Sequence, residues 1–150
     1  MTIESHSRDS IQELIERGFP EHTAVLSFYD PQTGHHEGTA PVDYTDLTDR
    51  VFQIPLENLR IDELEAHGLT YEEYFSEAED MAEFVFAAIR DGYDIICQCE
   101  DGSCVSAGCA AALHEFFTAD GVFIFADYRY HPSRMVFHKV YNALWLSGKK

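Results

Sequence analysis

The stretch DIICQCEDGSCVSAGCAAALHEFF, residues 94–117, decides how this chain is read. An apolar run through Ile95, Ile96 and Cys97 ends at Gln98 and Cys99, crosses a short polar loop holding Gly102, and enters an alanine-rich segment. The run YDIICQC reads as a buried strand, and SAGCAAALHEFF as a helix whose small side chains permit close packing on a sheet. Cys99 then falls at the carboxyl end of a strand, where α/β sheets keep their binding sites. The loop presents its N–H groups at a helix N-terminus, which suits an anion, and Gly102 permits the tight wrap. The same field stabilises a thiolate, so a lowered pKa and heightened reactivity are expected of Cys99.

Working outward, SIQELIERG places Ile11, Leu14 and Ile15 on one face of a short first helix, with Ser10 and Glu13 as its capping box and Gly18 as its stop. TAVLSFYD is a continuous strand-forming run ending at a turn signal over residues 30–34, and His35 and His36 in that loop read as exposed imidazoles. RVFQIPL is a second strand. IDELEAHG and TYEEYF read as helical, with Thr70 and Glu73 as a capping box. SEAEDMAEFVFAAIRDG follows, capped by Ser76 and Glu79 and closed by Gly92; Met81, Phe84, Val85, Ala88 and Ile89 recur at the helical period and read as core. After a turn at Asp120 and Gly121, VFIFADY reads as a short strand or extended connection. HPSRMVFHKVYNALW is the closing helix, with Pro132 at its start and Val136, Val140 and Leu144 on its apolar face. Strands alternating with helices predict an α/β three-layer sandwich with a central, mainly parallel sheet of about four to five strands flanked by helices. A single domain over residues 1–150 is expected, with a helical extension over 1–20 and the core over 23–146.

Hydrophobic residues make up 45% of the 150 and aromatics 13%, which supports a compact core and argues against disorder. The net charge of -17, from 27 acidic against 10 basic residues, repels phosphate backbones and anionic membranes, so neither nucleic acid nor membrane is expected as a partner. The acids concentrate in residues 57–83 and read as solvated helix faces. MTIESHSRDS is too polar for a secretory signal, and no run approaches a membrane span, which predicts a cytoplasmic protein. Oligomeric state has no signature in the sequence. Cys97, Cys99, Cys104, Cys109 and His114 lie close together, but their spacing matches no zinc knuckle, and neither a metal nor a cofactor is expected. Cys97 and Cys109 read as small buried hydrophobes.

CQCEDGSCVSAGCAAAL resembles the phosphate-binding loop of the cysteine-dependent protein tyrosine and dual-specificity phosphatases, in which a His-Cys pair, two residues, a Gly, two residues and Arg-Ser/Thr precede a small-residue helix. AVLSFYDP, RVFQIPLEN, the acidic helices and YRYHPSRMVFHKVYNAL look like the compact bacterial branch, so the resemblance spans roughly residues 23–146. It implies an anion-binding loop of Cys99, Glu100, Asp101, Gly102, Ser103, Cys104, Val105 and Ser106, with Cys99 as nucleophile and Ser106 as the hydroxyl assisting the leaving thiolate.

Three positions depart from the pattern. Val105 stands where the family has Arg; valine cannot hold a phosphate bidentately or balance charge. Gln98 stands where His is usual, a milder change. Aligned with the branch pattern Leu-x-Phe-x-Asp-Ile, IPLENL puts Asn58 at the general-acid position, with Asp62 four residues on as the substitute. The resemblance thus implies a pseudophosphatase that binds a phosphoprotein, a partner protein or a small anion. A low-activity phosphatase working through a Cys99 thiophosphate, with Asp62 and a displaced Arg129 or Arg134, is the alternative. A thiol redox switch at Cys99 and Cys104 is the third reading.

Overall fold

The computed structural model describes residues 1–31, 37–127 and 129–148; His35, His36 and most of the 30–34 turn lie outside them. Four strands form one sheet: β1 (Ile3–His6), β2 (Thr23–Tyr29), β3 (Val51–Pro55) and β4 (Asp94–Gln98). Their order is β1-β4-β2-β3 and every pairing is parallel. Five helices accompany them among the described residues: α1 (Arg8–Arg17), α2 (Ala78–Arg90), α3 (Val105–Thr118), α4 (Val122–Ala126) and α5 (Arg134–Gly148). The result is the α/β sandwich with a central parallel sheet.

Period-two alternation along the strands sorts the core. Ala24, Leu26 and Phe28 on β2, with Ile95 and Cys97 on β4, face the larger cluster, which takes in Met81, Val85, Leu113 and Val140 from α2, α3 and α5. Val25 and Ile96 face the opposite way, onto Ile11 of α1 and the segment carrying Val42 and Tyr44. The same parity sends Gln98 to the α1 side and Cys99 to the α3 side. Helix α3 is buried from Val105 through Leu113, because its Ser, Ala and Gly residues let neighbours approach the backbone. A Cβ on Gly108 would stand 2.5 Å from the Ser133 carbonyl oxygen.

Several local expectations change. Residues 3–6, read as part of a helical extension, instead form an edge strand inside the sheet. Only Ile3 there is apolar and buried, so IESH carries no strand signature, and an edge position tolerates its polar partners. Helix α1 begins after Ser7, whose hydroxyl accepts from the Ser10 N–H at 3.0 Å; Ser10 itself binds His6, so the Ser10 and Glu13 capping box does not form. VFIFADY contains the short helix α4, an outcome that a brief apolar run leaves open. Residues 61–67 make two 3-10 turns, Ile61–Glu63 and Glu65–His67. The Thr70 and Glu73 pair exchanges both capping bonds, at 3.0 and 3.2 Å, over a turn. Helix α2 starts after Glu77 with no side-chain cap, so Ser76 and Glu79 do not cap it. Among the described residues no helix is long and apolar enough to cross a membrane.

Candidate functional site

The six residues between β4 and α3 are held from both sides. On one side, the Cys99 N–H donates to the His6 carbonyl at 3.2 Å, the Arg8 N–H to the Glu100 carbonyl at 3.1 Å, and the Ser5 hydroxyl to the Gly102 carbonyl at 2.8 Å. On the other, the His131 N–H reaches the Ser103 carbonyl at 2.7 Å and the Ser133 N–H the Cys104 carbonyl at 3.0 Å. Gly102 has φ of +72° and packs on residues 6–7, where a Cβ would lie 2.7 Å from the His6 carbonyl carbon. Both features exclude other residues.

Cys99 and Ser106, the two residues the resemblance pairs, lie in contact. The Cys99 Sγ lies 3.1 Å from the Ser106 Oγ and accepts the Ser106 N–H at 3.4 Å. Ser106 Oγ in turn lies 2.7 Å from Ser5 Oγ, a contact no sequence signal announces. Asp101 folds inward: its Oδ1 is 3.5 Å from the Cys99 Sγ and accepts the Ser103 N–H at 3.0 Å, so a loop amide already serves a carboxylate.

The cavity over Cys99 is small, about 140 Å³. Val105 and Asn58 line it, as do the carboxylate-bearing Asp30, Glu100 and Asp101. No lysine, arginine or histidine does, among the described residues. Glu100 is paired with Arg8 at 2.8 Å, and the remaining carboxylates Asp30 and Asp101 oppose an incoming anion. Val105 is buried in the larger core cluster.

Gln98 is built into a buried network. Its Oε1 accepts the Ser27 hydroxyl at 2.6 Å and the Tyr44 hydroxyl at 2.9 Å, and its Nε2 donates to the Cys99 carbonyl at 3.1 Å. Burial pushes the Tyr44 phenol well above its ordinary pKa. Asn58 sits at the loop and its Oδ1 accepts from the Cys104 Sγ at 3.4 Å. Asp62 is not brought there: it pairs with Arg60 at 3.3 Å and lines none of the three cavities that touch the loop. Arg129 pairs with Asp127 at 2.7 Å; it does not line the cavity over Cys99 but lines a neighbouring one with Asp101, Gly102 and Ser103 of the loop.

All four cysteines are free. Cys97 and Cys109 are buried, with sulfurs 3.6 Å apart, and burial pushes the Cys97 thiol up. Cys104 lines a second and larger cavity of about 650 Å³ on the far side of Asn58, while Cys99 faces the small one. Burial, with Asp101 and Cys99 adding to it, raises the Cys104 thiol pKa against the Asn58 bond that lowers it. Arg134 lines that larger cavity rather than the Cys99 site. No run of sequence points to this cavity, because its wall is assembled from residues 58–61, 71, 104 and 131–138.

No protein-family profile and no curated protein sequence matches the chain. Among solved structures, it is similar to the crystal structure of human tyrosine phosphatase-like serine/threonine/tyrosine-interacting protein. The TM-score is 0.57 and the identity 14%, over 93% of this chain and 87% of that one. At that identity the likeness lies in the backbone, and it establishes a tyrosine phosphatase-like fold.

Proposed function

We propose that this chain is a catalytically silent tyrosine phosphatase-like protein that works by binding rather than by turnover. One observation carries the reading. Asp30, Glu100 and Asp101 carry carboxylates on the wall of the cavity over Cys99, Glu100 already paired with Arg8 at 2.8 Å, and no lining residue among those described is a cation. Phosphoryl transfer to Cys99 needs a positive group to gather the equatorial charge and an acid to protonate the leaving oxygen. An oxyanion-type donor contributes about 10²–10³-fold and general acid catalysis about 10²–10⁴-fold, so loss of both leaves a rate on the order of 10⁴-fold or more below that of a complete site. A partner protein, a phosphoprotein or a small anion remains the class of ligand, but its contacts fall outside the Cys99 cavity.

The Cys99 and Ser106 pair at 3.1 Å favours one second reading, a slow phosphatase. In it the Cys99 sulfur attacks phosphorus, the ester oxygen leaves with a proton, and water releases phosphate from the thiophosphate. Hydrolysis of an aryl phosphate by the wild type and by Cys99→Ser separates the two. Equal background rates are the expected result; turnover that disappears in Cys99→Ser would establish the slow enzyme.

A further inference from the structure

The larger cavity beside Asn58 differs in character from the one over Cys99. Arg60, Arg134, His131 and His138 line it, and no aspartate or glutamate does among the described residues. Its remaining wall is mostly apolar, with Leu59, Ile61, Tyr71 and Met135 prominent. Lys139 adds charge at the edge, its Nζ 4.0 Å from the centre of the Tyr71 ring. In a chain with 27 acidic residues, basic side chains are taken up by neighbours: Arg8, Arg17, Arg50, Arg60, Arg90 and Arg129 each lie within ion-pair distance of a carboxylate. Arg134 is the exception; it is exposed and has no such partner among the described residues. An unpaired guanidinium at an apolar cavity, in a strongly acidic protein, selects for a negative group carried on a hydrophobic body.

We propose that this cavity is a binding site for a small amphipathic organic anion, with its carboxylate or phosphate on Arg134 and the flanking histidines and its apolar body against Leu59, Ile61 and Met135. The site is separate from the Cys99 cavity, and its occupancy does not depend on whether Cys99 turns over phosphate esters.

The test is calorimetric titration of the full chain with 4-phenylbutyrate, with 4-phenylbutan-1-ol as the uncharged counterpart and inorganic phosphate as the anion without a body. The acid should bind about tenfold or more tightly than the alcohol, and phosphate far more weakly than the acid, given the strength of a charge-assisted bond. Arg134→Glu should weaken the acid by about tenfold or more while leaving the alcohol unchanged. Ile61 is 68% exposed, so Ile61→Asp, which the fold tolerates, places a negative charge at the mouth and should weaken the acid by about tenfold or more, and more than it weakens the alcohol. Cys99→Ser should bind like the wild type. Absence of binding by the acid, equal affinity for acid and alcohol, phosphate alone binding as well as the acid, or indifference to both substitutions would each overturn the proposal. None of these results bears on the aryl phosphate assay, which judges the Cys99 loop separately.

Discussion

The Ser5 hydroxyl stands 2.7 Å from the Ser106 hydroxyl, 101 positions along the chain, so edge strand β1 touches the residue that touches Cys99. Ser5 has one proton and gives it to the Gly102 carbonyl, so Ser106 must donate to Ser5 and turn a lone pair toward the Cys99 thiol. The hydroxyl expected to assist a thiolate therefore spends its proton elsewhere.

Ser5→Ala should release that proton for Cys99. Alkylation of Cys99 by iodoacetamide, followed by mass spectrometry, is expected to speed up several-fold, while loss of the paired hydroxyl lowers stability by about 1–2 kcal/mol. Unchanged labelling in a destabilised variant would mean that the Ser106 proton already points at the sulfur.

Gly102→Ala meets two obstacles, a positive φ and the backbone of residues 6–7. Together these should cost on the order of 3 kcal/mol. The loss should appear as a lower urea midpoint and as faster hydrogen exchange at the Cys99 N–H, which donates to His6.

Restoring charge and acid together is the strongest test of the loop alignment. Asn58 lines the cavity over Cys99, so Asn58→Asp places a carboxyl at its mouth, and Val105→Arg supplies the missing cation. The double variant should gain aryl phosphate hydrolysis that depends on Cys99. Val105→Arg alone should gain less, because Asp30, Glu100 and Asp101 pair with the new guanidinium and no acid is supplied.

The network around Gln98 sets an alkaline limit. Gln98→Leu leaves the buried Ser27 and Tyr44 hydroxyls without their acceptor and should cost about 2–5 kcal/mol in a denaturant titration. The Tyr44 and Tyr74 phenols are raised by burial. Their protonated forms favour the folded state, so the stability they contribute is complete below the ordinary phenol value of about 10 and is lost as pH rises beyond it. Tyrosinate absorbance from these two residues should therefore appear together with unfolding, above pH about 10.

Much of this fold could be read because β2, β4 and α3 are both apolar and regular: TAVLSFY, DIICQ and the alanine-rich helix each declare their type. Strand β1 could not be, since its pairing is written in backbone bonds to β4 and not in side chains. Helix α4 overturns the reading of VFIFADY as a strand or extended connection, because five apolar residues satisfy either periodicity. At the site, Cys99 lies against Ser106 and Gly102 turns the loop, while Asn58 reaches the same cavity from 41 positions earlier, a place only the resemblance suggests. Of the acidic lining, Glu100 and Asp101 lie in the loop itself, but Asp30 was not legible, because it reaches the cavity from just after β2, far from the loop in sequence. Asp62 lies instead in the exposed 3-10 turn Ile61–Glu63, beside Arg60.

The loop's anchors also set the order in which the molecule can be assembled. Residues 5–8 hold it from one side and residues 131–133 from the other, so its contacts join segments near opposite ends of the chain. Closing such long loops costs entropy that local helices never face. Strands β2, β3 and β4 with helices α2, α3 and α5 can condense before β1 closes onto β4, and the Cys99 turn should be among the last parts to acquire protection during refolding. Its geometry then reports on the completed molecule, and any event that frees β1 at the sheet edge would loosen the thiol's surroundings without unfolding the core.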